Sequence, residues 1–258
     1  MYDVDAHVAE VYDQSETYDD DVQLIRRLLS GCCPLRILEP FCGTGRILIP
    51  LALDGHNLTG MDLAKGMLAR TQSKVGQLPS KAQERIALQE CNVLTTPWPQ
   101  GFDLVVLGGN CFYELATPEE QEYCVASAAT SLLPGGHVYI DNNHMEGELE
   151  PSWRVPGVKR GFPTGLCRDG VRVESTTETI WFDVPRQLAR FRRSTTVISP
   201  DGSSLRQEYE QQKHPVSTLE AKTWLEAHCF LIEHVFGDRS GGPYQDSSNR
   251  AIFWARKL

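Results

Sequence analysis

The rhythm of apolar positions changes along the chain, and the changes mark its elements. Leu35–Leu38 is a short β-rich apolar run, followed by an acid, Glu39, and a tight loop carrying Gly43 and Gly45. Arg46-Ile47-Leu48-Ile49 then opens an apolar stretch predicted as a helix over Arg46–Asp54, stopped by Gly55. Asn57–Met61 reads as a second strand with Asp62 at its end, and Ala64–Val75 as the helix after it, followed by a loop over Gly76–Ala82. Arg85–Gln89 reads as a third strand. Phe102–Leu107 is apolar at nearly every position, as in a strand buried on both faces. A helix over Pro118–Leu133, with Glu119 and Glu120 in its first turn, leads through a Pro-Gly-Gly break into a fifth strand within LLPGGHVYIDNN. Strands alternating with helices at this spacing predict a doubly wound, mostly parallel sheet.

After Asn143 the helical period disappears. Val171–Glu210 holds strand-like runs separated by DVPRQ and SPDGS, which predicts a three-stranded antiparallel insertion. A helix over Ser217–His228 and strands at Leu231–Phe236 and Ala251–Arg256 return to the main sheet. The expected fold is therefore α/β: a doubly wound, mostly parallel seven-stranded sheet with a small antiparallel β insertion after strand five. Its parts would be an N-terminal helical cap (1–34), a core (35–145 and 214–258) and a β lid (146–213). The cap contains the acid-led helix DDVQLIRRLLS and a Tyr/Asp-rich segment whose Tyr12 and Tyr18 read either as surface packing or as a flap over a ligand.

The junction at residues 35–46 carries the first chemical signal. A strand, a glycine loop and a helix point backbone N–H groups at whatever lies above the strand tip, and glycine permits close approach. Asp62 at the next strand tip has two readings. It is an N-cap for the following helix, or a carboxylate that accepts hydrogen bonds from the hydroxyls of a ribose. The two are compatible, and the pairing with the glycine loop favours a nucleoside ligand.

Charge and cysteine content narrow the field. The 258 residues carry 25 basic and 34 acidic side chains, net −9, which disfavours binding along a nucleic-acid backbone. No apolar run approaches a membrane span, and the acidic N-terminus lacks a signal pattern, so a cytoplasmic protein is expected. The eight cysteines form no CxxC and no zinc spacing, so neither a metal nor a disulfide framework is expected.

In order and spacing, ILEPFCGTGR, GMDLAKGML, ECNVLTTPW, FDLVVLGGNCFYEL and LLPGGHVYID, spanning about residues 35–142, resemble the class I S-adenosylmethionine-dependent methyltransferases. The GGNCFYEL loop and the β insertion are similar to small-molecule N-methyltransferases of the glycine/sarcosine and amino-sugar kinds. The resemblance implies S-adenosyl-L-methionine as cofactor. Glu39 and the loop of Phe41, Gly43, Gly45 and Arg46 would hold its methionine end, with Tyr12 and Tyr18 closing over it. Asp62 would take the ribose, Leu63 and Met67 would lie near the adenine, and Asn92 and Val93 would meet its edge. Gly108 and Gly109 would line the sulphonium. Phe41 and Asn92 depart from the family, which usually has glycine and aspartate there.

On the acceptor side, Asn110 is the expected orienting group and Tyr113 a second catalytic candidate. Asn143, His144 and Tyr244 are candidates for substrate binding. Glu114 is expected to cap or pair locally. The insertion adds Arg160, Arg168, Arg172, Arg190, Arg192 and Arg193, any one of which could fork onto a carboxylate, and Trp153, Trp181 and Phe162 as pocket walls. The implied function is methyl transfer to a small molecule, most simply an amine, by a monomer or homodimer. Competing readings are a nicotinamide-dependent oxidoreductase, which lacks its third glycine here, an O-methyltransferase, and a non-catalytic binder.

Overall fold

The computed structural model describes residues 6–143, 149–161 and 163–258. In chain order the elements are α1 (Ala6–Ser15), α2 (Asp20–Leu28), β1 (Arg36–Pro40), α3 (Leu48–Leu53), β2 (Asn57–Asp62), α4 (Lys65–Val75), α5 (Ser80–Gln83), β3 (Ile86–Glu90) and β4 (Phe102–Leu107). A 3-10 turn (Cys111–Glu114), α6 (Pro118–Ser131), β5 (Leu132–Asn143), α7 (Pro151–Arg154), β6 (Lys159–Gly161), β7 (Gly165–Leu166), β8 (Arg172–Asp183), β9 (Leu188–Ile198) and β10 (Ser204–Lys213) follow. The chain closes with α8 (Thr218–Ala227), β11 (Phe230–Phe236) and β12 (Arg250–Lys257).

The main sheet has seven strands in the order β11-β12-β5-β4-β1-β2-β3. Strands β1 to β5 pair in parallel, and β12 runs antiparallel to both β5 and β11. Successive residues face opposite sides, as the period of a strand requires. Ile37, Leu58, Leu104, Val106 and Tyr139 pack with α2 and α3, whereas Leu38, Met61, Val105, Leu107 and Ile140 pack with α6 and α8. Both faces are covered, which is why β4 reads as an unbroken apolar run. Strand order reverses between β1 and β4, the place where doubly wound sheets open a crevice.

Several boundaries differ from the expectation for local reasons. The third helix starts at Leu48 rather than Arg46, because Phe41, Gly43 and Gly45 all take positive φ and the chain is still turning. At six residues α3 is too short to make a helix-end anion site, so the loop's own contacts must define the crevice. The helix before strand five stops at Ser131, and β5 runs on through Pro-Gly-Gly with a register irregularity near Gly135, φ 78°. The expected loop after Val75 contains the single turn α5.

The second sheet has five strands rather than three: β10-β9-β8-β6, with β7 also on β8. The three long strands meet at the two expected turns. The extra two are three and two residues long, too short for an alternation to register. α1 bridges the two sheets. Val8 and Val11 pack with Cys167, Val171 and Val173 of the second sheet region. On the core side Asp13 accepts from Lys74 at 2.7 Å and Arg70 at 3.2 Å, both on α4.

Candidate functional site

The β1 loop and β2 tip are one hydrogen-bonded unit. Gly43 N–H donates to Asp62 Oδ2 at 2.7 Å and Ala64 N–H to Asp62 Oδ1 at 2.8 Å, while Cys42 N–H donates to Met61 O at 3.0 Å. Asp62 thus serves as an anchor for the loop and the start of α4. Burial pushes its carboxyl above the usual range, against these N–H bonds, which favour the charge. Phe41, at φ 65°, accepts the left-handed conformation that glycine fills more cheaply. At Gly43, φ 52°, a Cβ would meet nothing within 4 Å, so the loop presents open backbone there. Gly45 has the opposite reason for lacking a side chain: a Cβ would come within 2.8 Å of Thr71 Cγ2.

Glu39 lies at the end of β1 with 5% of its surface exposed, and its Oε2 has no hydrogen-bond partner. Burial drives its carboxyl well above the ordinary range; Arg46 partly opposes this, and Asp21 and Asp62 add to it. An orphaned buried carboxyl oxygen is unfavourable unless something completes it. Beside the open Gly43 backbone and the Asp62 carboxylate, the missing partner fits a cationic hydrogen-bond donor.

Arg46 does not point outward for a ligand carboxylate as a bare motif suggests. Its guanidinium forks onto Asp21, at 2.7 and 2.6 Å, and also donates to Tyr18 O at 3.1 Å. Burial works against its charge, but Asp21 more than offsets this and the guanidinium is held above its usual value. The Tyr18 ring is sandwiched between Arg46 at 4.0 Å and Arg239 at 4.5 Å. Tyr12 packs on Ala64 and Met67, and burial raises its phenol. Both tyrosines therefore flank the β1–β2 tips from the N-terminal side. Leu63 is half-buried at the β2 tip; Asn92 Oδ1 accepts from Leu94 N–H at 2.9 Å, and Val93 is buried beside it at the end of β3.

The β4 tip is held by a network that the sequence does not advertise. Gly109 and Asn110 both take positive φ, 63° and 61°. Asn110 Oδ1 accepts from Asn143 N–H at 2.8 Å and from Arg250 Nη2 at 3.0 Å. Arg250 also donates to Asp141 Oδ1 at 2.7 Å and to Asn143 Oδ1 at 2.7 Å. Arg239 reaches the same Asp141 at 2.8 Å and Asp20 at 2.9 Å. Asp21 and Asp141 are both fully buried. This chain of charges ties α2, the β4 turn, the β5 end and the β11–β12 loop together, bracing Gly108 and Gly109. The expected orienting role of Asn110 meets an occupied acceptor, since its carbonyl oxygen already takes two N–H bonds. Tyr113 likewise donates its hydroxyl to Asn143 O at 2.9 Å and packs edge-on against Trp153.

Tyr244 stands against α8, where it accepts from Thr218 Oγ1 at 3.2 Å beneath Lys222. The loop that carries it reaches the strand tips through Arg239 instead, and Arg250 follows at the start of β12. His144 and Phe162 lie outside the described residues. Trp153 is buried against Tyr113 and Phe191, while Trp181 sits under Arg190. Arg172, Arg190 and Arg192 pair with Glu174 and Glu210 on exposed surface, and the exposed Arg168 pairs with the partly buried Glu10. Glu114 does not pair locally: it takes Lys213 Nζ at 3.2 Å and Gln211 Nε2 at 3.0 Å, both from β10 across the cleft. Among the described residues no group of three metal-ligating side chains converges, and no helix is long and apolar enough to cross a membrane.

Residues 37–136 match the family model for a methyltransferase domain. Among curated relatives, glycine N-methyltransferase of Rattus norvegicus is 27% identical over 143 residues, covering 52% of this chain and 49% of that protein. The chain thus spans about half the length of the curated relatives of that kind. Among solved structures, an S-adenosylmethionine-dependent methyltransferase from Clostridium acetobutylicum superposes with TM-score 0.73 at 16% identity, over 96% of this chain and 97% of that one. The sugar N-methyltransferase KedS8 from Streptoalloteichus gives 0.71 at 16%, over 95% and 90%. Residues 37–136 thus match a methyltransferase domain, and the fold is the one that the S-adenosylmethionine-dependent methyltransferase structure has.

Proposed function

We propose that the protein transfers a methyl group from S-adenosylmethionine to the nitrogen of a small amine. The observation that carries the cofactor half is the unpartnered Glu39 Oε2, buried near the end of β1 just before the loop that Gly43 and Asp62 hold. That set suits a nucleoside bearing a free amino acid better than a dinucleotide, which has no ammonium to offer Glu39. Glu39, Gly43 and Gly45 would hold the methionine end, Asp62 the ribose, and Leu63, Met67, Asn92 and Val93 the adenine. Tyr12 and Tyr18 would close the site from the N-terminal side.

When bound, the cofactor supplies a methyl group already activated by its sulphonium, so no strong base is demanded of the protein. The protein's task is to orient a nucleophile and keep water out, which contributes about 7–11 kcal/mol in favourable cases. Here the braced Gly108–Asn110 turn, Tyr113 and Asn143 set the shape of the β4–β5 rim. On the opposite side α7 meets the second sheet in the edge-on contact of Trp153 with Phe191. Nitrogen is favoured over oxygen as the target by the sequence similarity to glycine N-methyltransferase and by the shared architecture with sugar N-methyltransferases. A panel of small amines and hydroxyl compounds, incubated with S-adenosylmethionine and analysed by mass spectrometry, tests this. Methylated amines with stoichiometric S-adenosylhomocysteine are expected; methylation of hydroxyl compounds alone would reject nitrogen as the target.

A further inference from the structure

The inner face of the second sheet is polar where an inward sheet face is ordinarily apolar. Tyr209, Gln211 and Lys213 alternate along β10 and so share a face. Their cross-strand partners on β9 are Arg193, Phe191 and Ala189 in turn. Thr177 and Thr179 of β8 extend the same rows. Of these, Thr177, Thr179, Arg193, Gln211 and Lys213 are buried. Burying so many polar groups is costly unless each finds a partner.

Gln211 does not find all of its partners. Glu114 only accepts, so the amide must turn its Nε2 toward that carboxylate, and the 3.0 Å bond fixes the flip. The carbonyl oxygen, Oε1, is then left buried with no donor. Glu114 itself keeps 33% of its side-chain surface accessible, although burial is the largest influence on its charge. Such a group lines an interior cleft. Lys213 and Gln211 more than offset the burial and hold Glu114 below the usual carboxyl range, so it stays charged. Its field reaches Tyr12 and Asp62 on one side and Tyr209 on the other. Glu114 therefore stands between the strand tips and the second sheet, four residues past Asn110.

We propose that Glu114 and Gln211 form the seat of the methyl acceptor's nitrogen, with the carboxylate and the orphan carbonyl oxygen receiving N–H bonds from a primary amine. This rests on the cofactor lying over the β1–β4 tips as argued above. A carboxylate and an unpartnered carbonyl oxygen on two hydrogen-bonded neighbours select a group rich in N–H donors. A hydroxyl can satisfy only one of them, and a carboxylate is repelled. As the nitrogen is methylated it gains positive charge, which the Glu114 carboxylate favours.

The test reads thermal unfolding of the complex with S-adenosylhomocysteine, at constant ionic strength, with methylammonium chloride as probe and methanol and sodium acetate as controls. Calorimetry first establishes that S-adenosylhomocysteine binds; its failure to bind overturns the cofactor reading itself. With binding in hand, methylammonium at tenfold excess over its dissociation constant raises the wild-type midpoint by about 3–6 °C, and the controls do not. Glu114→Gln abolishes that shift. Because Glu114→Gln strands Lys213, Gln211→Met serves as a second variant. It removes the orphan oxygen together with the amide bond to Glu114 but leaves the Glu114–Lys213 pair, and the methylammonium shift shrinks. No methylammonium shift in the wild type, an undiminished shift in both variants, or a larger shift with acetate overturns the proposal.

Discussion

Glu39→Gln tests the cofactor reading at its most unusual atom. The substitution keeps the shape of a side chain that is 5% exposed but removes the charge that an incoming ammonium would meet at Oε2. A charge-assisted hydrogen bond is worth about 1.5–3 kcal/mol, so affinity for S-adenosylhomocysteine falls about 10- to 150-fold. Protons give an independent readout. Burial raises the free Glu39 carboxyl well above its usual range. Binding an ammonium requires the carboxylate, so binding releases a proton in the window from the ordinary carboxyl range up to that raised value. Wild-type affinity accordingly climbs with pH across the window, and the Gln variant loses the slope. The sign for stability is opposite: a group whose folded value is raised binds its proton more tightly when folded, so its contribution declines as pH rises through the same window. The variant therefore gains relative to wild type on the alkaline side. Calorimetric titration at one pH in phosphate and in Tris counts the released protons from the difference in apparent enthalpy. Affinity unchanged within about threefold, with the same proton count in both proteins, would refute the reasoning.

Three further outcomes follow from the geometry. Asp62→Ala removes an acceptor for both ribose hydroxyls and weakens S-adenosylhomocysteine binding about 100-fold by calorimetry; an unchanged constant rejects that placement. Asn110→Asp keeps an oxygen able to accept both N–H bonds and tolerates positive φ, so its urea midpoint and cofactor affinity stay close to wild type, whereas Asn110→Ala loses at least about 1–2 kcal/mol of stability at φ 61°. Equal losses in both variants would show that the amide NH2 matters. Arg239→Met leaves Asp141 and Asp21 buried with weakened partners and costs about 3–5 kcal/mol in urea unfolding, while Arg206→Met at the surface changes nothing measurable.

What the chain reveals about itself divides by distance. The β1 loop and β2 tip are legible because their signals are local: an apolar run, an acid, glycines and a second acid within 28 residues, Leu35 to Asp62. The two turns of the insertion announce themselves through DVPRQ and SPDGS. α1 is hidden, since only Val8, Ala9 and Val11 of its ten residues are buried and its other contacts belong to distant segments. Arg239, Arg250 and Asp141 carry no local motif; they meet only because β12 lies beside β5, roughly a hundred residues away in sequence. Glu114 misleads for the same reason. In sequence it sits just before a helix and resembles a cap, but the helix is capped by Thr117, leaving Glu114 to meet β10.

The central claim is that the β1–β4 tips form a cradle for an adenosyl sulphur compound. Isothermal titration of the full chain with S-adenosylhomocysteine, run in parallel with NAD, addresses it directly. The account predicts one-to-one binding of S-adenosylhomocysteine and no heat from NAD; saturable NAD binding without S-adenosylhomocysteine binding would contradict it.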